Sequence, residues 1–359
     1  MYLNSKLSVL LTVLILFPTI FNVSAQNKNP NFDFSGIKQF WNIVDILKQN
    51  QYPTNNQWHN LFNTPGYKVL THQEFPKNFF KNSFELVFMP TKKKDLDKAL
   101  KRGINTNHLL HYIKVKNNRA KINEQMKHIK NTAYNRRALN RTLKFLPQHS
   151  VNRYPPVAFV IFENNGRGSS PIIVDLAATL EWDFESFLAH EYHHWYRNRE
   201  LKFNKSNIEP DDSSILEALN MIEAEGIADM VDKRDWFTKS SNSISTYARQ
   251  FINDVGRTPY IIHSMDKILS EINREPGKKG SLGRQFRRLL PQKGHTTGYF
   301  MASLILKKFS RDNLVQCVGN PFRFIKLYNK ASKLSGGKYP GFSKQALNII
   351  NYLESKYKK

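Results

Sequence analysis

The feature that most constrains this chain is a five-residue run, His190-Glu191-Tyr192-His193-His194. Two histidines four apart, with a glutamate directly after the first, make chemical sense only on an α-helix. There the two imidazoles sit roughly 40° apart around the axis and about 6 Å apart along it. Both can reach one tetrahedral ion, and Glu191 projects beside them, close enough to take a proton from a water on that ion. His193 falls on a different face. The run therefore demands a helix, and its flanks supply one. Asp183 stands where a cap belongs, and Phe184, Phe187, Leu188 and Trp195 are core candidates in an amphipathic stretch reaching about Arg199.

A catalytic zinc needs a third protein ligand and an open position. Downstream, Ser214-Ile215-Leu216-Glu217 has the form of a capping box and predicts a helix from there to about Lys233. On that helix Glu225 and Asp229 are four apart and share a face, while Gly226 and Ala228 are small enough to let it approach the first helix closely. Glu225 is the candidate third ligand, and Asp229 the candidate acceptor for a ligand histidine. Glu223 lies roughly 160° around the axis from Glu225 and cannot point the same way. Glu217 reads as a capping residue. The plain alternative for all three glutamates is a solvated acidic face.

Charge supports a cation site here. The chain has 359 residues, with 54 Lys and Arg against 29 Asp and Glu, a net +25. Residues 181–235 hold 14 acidic and 6 basic residues, a local −8, so the remainder carries +33. The basic remainder is either a polyanion-binding surface or simply solvated lysine faces. Its run Lys92-Lys93-Lys94 is followed by Asp95 and Asp97, and no aromatic-interleaved basic motif marks a specific nucleic-acid partner. With 40% apolar and 13% aromatic residues the chain can build a sizeable core, which excludes wholesale disorder. The single cysteine, Cys317, excludes intrachain disulfides and Cys-rich zinc modules, and reads as a buried small hydrophobe.

The N-terminus reads as a secretory signal peptide. Met1–Lys6 carries one positive charge, Leu7–Phe21 is apolar but broken by Pro18, and Val23-Ser24-Ala25 supplies small residues for cleavage after Ala25. The apolar run falls short of the ~20 residues that span a bilayer. The expectation is a secreted or periplasmic monomer with no membrane anchor. Residues 26–150 are expected to be a helical region, with Ile37, Phe40, Trp41, Val44 and Leu47 at helical spacing within 35–50. Residues 151–359 are the catalytic region, integrated with it in one domain. Val157–Phe162 and Ile172–Leu176 are strand candidates around a turn signal at Asn164-Asn165-Gly166, forming a hairpin or two sheet strands. Further helices are predicted over 262–273, 295–309, 321–332 and 343–357. The fold class is α+β, mostly helical, with a small sheet before the histidine helix.

Gly294-His295-Thr296-Thr297-Gly298-Tyr299 opens a late helix with His295 and Tyr299 four apart. Either could donate to the oxyanion of a tetrahedral intermediate. The alternative makes His295 a helix cap and Tyr299 core. His72, His108 and His111 read as surface or satisfied core residues.

At these residues a resemblance emerges. His190-Glu191-x-x-His194 followed by Glu225-x-x-x-Asp229 resembles the gluzincin branch of zinc metallopeptidases. With Glu225-Gly226-x-Ala228-Asp229 and the Gly294–Tyr299 segment, the chain is similar to bacterial proteins described only as zinc-dependent peptidases, a domain of unknown function. The resemblance implies a zincin-like fold, Zn2+ on His190, His194 and Glu225, Glu191 as general base, and a peptide or protein substrate. Thirty residues separate His194 from Glu225, more than in thermolysin-like enzymes, which implies an inserted loop at about 200–213 and leaves the substrate class open. The combined reading is an exported zinc-dependent hydrolase, a metallopeptidase. The rivals are a catalytically inactive zinc-binding protein and a basic polyanion-binding module.

Overall fold

The computed structural model describes residues 29–103, 106–148, 153–204, 206–238 and 244–359. The expected signal peptide, residues 1–25, lies outside them. After a short strand β1 (Phe32–Asp33) come eight helices: α1 (Ser35–Lys48), α2 (Asn55–Phe62), α3 (Pro65–Gln73), α4 (Lys77–Phe88), α5 (Lys93–Arg102), α6 (Asn107–Asn117), α7 (Arg119–Asn131) and α8 (Tyr134–Thr142). Strands β2 (Val157–Val160), β3 (Gly166–Arg167) and β4 (Ile172–Asp175) follow. Then come α9 (Phe184–Arg197), α10 (Pro210–Asp232), α11 (Thr246–Arg274), α12 (Lys279–Arg288), α13 (His295–Lys308), α14 (Arg311–Val315), α15 (Pro321–Lys333) and α16 (Lys344–Tyr357). The fold is mostly helical α+β, as the pattern predicts.

The sheet order is β1-β2-β4-β3. β2 and β4 run parallel, Val157 opposite Ile172, so the hairpin reading of this segment is not the one the chain adopts. All four residues of each strand are buried, and continuous apolar strands of this kind suit a parallel pair covered on both faces. The Asn164–Gly166 turn feeds β3, which lies antiparallel on the outer edge of β4. α1 packs on β2 through Gly36, where a Cβ would lie 2.6 Å from the Phe159 carbonyl oxygen. The predicted stripe Ile37, Phe40, Trp41, Val44 and Leu47 is buried there.

Two helix starts differ from the sequence reading, one for a local and one for a tertiary reason. α10 begins at Pro210, one turn before the Ser214 box, with proline in its first turn and Asp211 and Asp212 beside it. Proline and acidic residues both suit that position. Asp212 is buried, held by Lys279 Nζ at 2.6 Å, Lys356 Nζ at 2.9 Å and the Tyr357 hydroxyl at 2.8 Å. Glu217 consequently lies mid-helix and exposed, paired with Arg287 Nη2 at 2.6 Å rather than capping. The loop after α9 shrinks to residues 198–209. α11 starts at Thr246, well before the predicted 262, and carries Pro259 in its interior. Tertiary packing of Phe251, Ile262, Met265 and Leu269 holds the helix through a break that proline would impose on an isolated segment.

α10 and α13 cross at Gly226 and Gly298. A Cβ built on Gly226 would lie 2.6 Å from the Gly298 Cα, so neither position has room for a side chain. The small residues of α10 thus admit α13, not α9 as the sequence suggested. Cys317 is buried as expected, and so is His111, its Nε2 2.7 Å from Asp175 Oδ2. Among the described residues no helix is long and apolar enough to cross a membrane.

Candidate metal centre

α9, α10 and α13 bring one cluster together. Asp183 caps α9 by accepting from Ser186 N at 3.3 Å. The apolar face of α9 is buried, leaving His190 and His194 turned toward α10. His190 Nε2 lies 2.9 Å from His194 Nε2. Glu225 Oε2 lies 3.0 Å from His194 Nε2 and 3.4 Å from His190 Nε2. With metal–nitrogen bonds of about 2.0–2.1 Å, corners of a zinc tetrahedron lie about 3.3–3.4 Å apart. At 2.9, 3.0 and 3.4 Å apart, the three donors lie at that spacing or a few tenths of an ångström inside it. Two nitrogens and a carboxylate oxygen this close also match the ligand chemistry of zinc.

His295, the first residue of α13, enters from the side. Its Nε2 is 3.3 Å from Glu225 Oε2, and its Nδ1 donates to both Asp229 oxygens at 3.0 and 3.1 Å. It is not a side-chain cap, because Gly294, at φ 96°, takes that position. His190, Glu225, Asp229 and His295 together each offer a ligating atom within 4.8 Å of the others. Asp229 is occupied by His295 and by Lys233 Nζ at 2.6 Å, whereas His194 Nε2 faces Glu225 Oε2. Glu225 Oε2 is the common neighbour of all three imidazoles, His194 at 3.0 Å, His295 at 3.3 Å and His190 at 3.4 Å.

The outer contacts differ from the sequence reading. The ligand-type histidine His190 is held at Nδ1 by Asp232 Oδ1 at 3.1 Å, and Asp229 stands farther off at 3.5 Å. Asp229 serves His295 instead. Lys233 Nζ bridges both acids, 2.6 Å from Asp229 Oδ1 and 2.8 Å from Asp232 Oδ2. Sequence reasoning missed Asp232 and Lys233. The available signal was spacing: Asp232 follows Glu225 by seven residues, two turns on the same face.

The electrostatics are those of a compact, buried charge cluster. Burial opposes ionisation of Glu225, yet His194 and His295 beside it hold its carboxyl well below the usual range. Burial likewise opposes the charge on Asp229, but His295 and Lys233 bring it down to about 2. Burial and Lys233 both disfavour protonated His190; Asp232 and Glu225 outweigh them and raise it to about 10. Burial also disfavours charge on His295, and Asp229 and Glu225 raise it nonetheless.

Glu191 stands apart from this network. It is buried yet makes no hydrogen bond or ion pair among the described residues. Gly168 closes over it: a Cβ there would lie 2.9 Å from Glu191 Oε2 and 3.1 Å from His194 Cβ. Three further residues lie off the cluster: His193 and Glu223, as helical geometry predicts, and Tyr299, which its four-residue spacing from His295 had made a candidate donor. His193 is buried with Nε2 3.2 Å from the Phe145 carbonyl oxygen. Glu223 pairs with Arg197, its Oε2 accepting from Arg197 Nε at 2.9 Å. Tyr299 joins an aromatic group, stacked on Phe237 at 4.7 Å and edge-on to Phe251 at 5.6 Å, with Ser303 beside its hydroxyl. The structure does not bring Tyr299 into contact with the histidines.

Comparison with known proteins gives the cluster a context. The sequence family described as "Putative zinc dependent peptidase (DUF5700)" matches residues 58–336. That span includes every residue of the cluster, and the chain belongs to this family. No curated protein and no solved structure matches it.

Proposed function

We propose that this member of a zinc-dependent peptidase family is an exported metallopeptidase of the gluzincin kind, acting on peptide or protein substrates. The observation that carries the reading is the convergence of His190 Nε2, His194 Nε2 and Glu225 Oε2, with Glu191 unpaired beside them. These three side chains hold Zn2+. Zinc bound there supplies Lewis-acid chemistry, polarising a carbonyl and lowering the pKa of a water.

The protein's own groups do the rest. Glu191 takes the proton of the attacking water and passes it to the leaving amine. A carboxylate free of protein partners is suited to that exchange. His295 donates from Nε2 to the oxygen that gains charge as the carbonyl is attacked, while Asp229 fixes its Nδ1. Asp232 fixes Nδ1 of His190, so that Nε2 faces the ion. Tyr299, committed to its aromatic group, is given no step. Export with cleavage after Ala25 belongs to the same reading and rests on the N-terminal pattern. Integration of residues 26–150 with the catalytic region is supported by one buried apolar cluster that runs from Ile37 to Tyr357.

Glu191→Gln tests the assignment most directly. It should retain one zinc per chain and lose hydrolysis of a casein-type substrate by ~10²–10⁴-fold, as loss of a general base does. Loss of zinc in this variant would make Glu191 a ligand, and full activity would remove it from the chemistry.

A further inference from the structure

A second concave site lies between α14, α15 and the end of α16, and it shares no residue with the metal cluster. It is an open groove of about 490 Å³, within the volume range of small-molecule sites, about 300–1,000 Å³. Its apolar side is formed by Phe309 and Leu327, both packed on the core but partly uncovered. Four cations line the rest: Arg323, Lys326, Lys330 and Lys358. One acid, Glu354, faces them, and it is already paired with Lys326.

The other three cations are not neutralised. Arg323 reaches a neutral partner, Gln316. Lys330 and Lys358 make no side-chain hydrogen bond or ion pair among the described residues. The positive end of the 13-residue helix α15 adds to the same side, since its cap residue Asn320 also lines the groove. Like charges gathered around one hollow repel, and a multivalent anion relieves that repulsion better than chloride does. Arg323 supplies the planar fork that suits phosphate oxygens. Phe309 and Leu327 would cover an apolar body attached to the anion.

We infer that this groove binds a small organic phosphate, a dianionic head on an apolar body. Phenyl phosphate is the probe, titrated by calorimetry into the full-length protein at low salt, with inorganic phosphate and phenol alongside. Phenyl phosphate should bind about tenfold or more tighter than inorganic phosphate, and phenol should not bind measurably. Removing two charges by Arg323→Gln with Lys330→Gln should weaken phenyl phosphate about tenfold or more at unchanged melting temperature, and Lys358→Gln alone should weaken it less. The charge-matched control, Lys94→Gln with Lys98→Gln on exposed α5, should stay within about twofold. Equal loss in the control would reduce the effect to net charge and overturn the proposal. So would wild-type affinity in the groove variants, an absence of saturable binding, or heparin binding at these residues without phenyl phosphate binding.

Discussion

Helix α10 turns a glutamate inward on each of two faces, one buried and one partly exposed, and the two are satisfied in opposite ways. Glu223, wholly buried, is closed off: it pairs with Arg197 of α9 and accepts from Gly319 N at 2.9 Å, while Arg197 also donates to Asn220 at 2.7 Å. Glu225, two residues on, meets three imidazoles from α9 and α13. The distinction lies in the cation. A guanidinium keeps its proton at every accessible pH, so Arg197 and Glu223 form a fixed pair. Imidazoles can give up their protons, so the charge around Glu225 can be exchanged for a metal ion. The first face fastens α9 to α10; the second uses that fastening.

The largest expected effect is a contrast in stability. Glu223→Ala strands a buried guanidinium and should cost about 3–5 kcal/mol in denaturant unfolding. Glu225→Ala in metal-free protein should cost less than half as much, because His190 and His295 keep Asp232 and Asp229 as partners. Zinc content should run the other way, lost in Glu225→Ala and kept in the folded fraction of Glu223→Ala. Equal destabilisation of the two metal-free variants would erase the distinction.

A smaller effect separates the two acids that follow. Asp232→Asn should weaken zinc binding ~10–100-fold in competition with a chelator, as expected for a group that orients a ligand. Asp229→Asn should weaken zinc less and turnover more, since Asp229 holds the oxyanion donor rather than a ligand. The reverse order would return Asp229 to the role the sequence suggested for it.

The smallest effect is in pH. Without metal, His190 titrates near 10 rather than at its ordinary 6.5. A folded-state value raised in this way contributes stability that is fully present below the unfolded value and lost as pH rises toward the folded one. The metal-free melting temperature should therefore fall between pH 6.5 and about 10. Zinc needs neutral His190, so the stabilisation that zinc adds should grow over the same window. A metal-free melting temperature that rises there would contradict the charge assignment.

Much of this was legible in the sequence because helix geometry is periodic. The four-residue spacing of His190 and His194, and of Glu225 and Asp229, placed the candidate site residues on shared faces without any tertiary information. The same reasoning excluded Glu223 and His193. What periodicity cannot supply is the partner across a helix crossing. Gly226 was legible as a point of close approach, but not that α13 rather than α9 occupies it. Asp232 and Lys233 sit at a helix end, where solvated charge is the ordinary reading, and it takes His190 of α9 together with Trp236 and Phe251 to cover them. The predicted helix over 262–273 missed the first part of α11, because the packing that carries the helix through Pro259 is tertiary.

The Gly226–Gly298 crossing has a mechanical consequence. Main chain rests on main chain there, one residue from Glu225 and three from His295, so no side-chain rotamer can take up slack between ligand and donor. Such a seat behaves as a hard stop. The two helices either keep their spacing or separate altogether, and gentle heating or dilute denaturant should leave the centre correctly gauged until the molecule itself gives way.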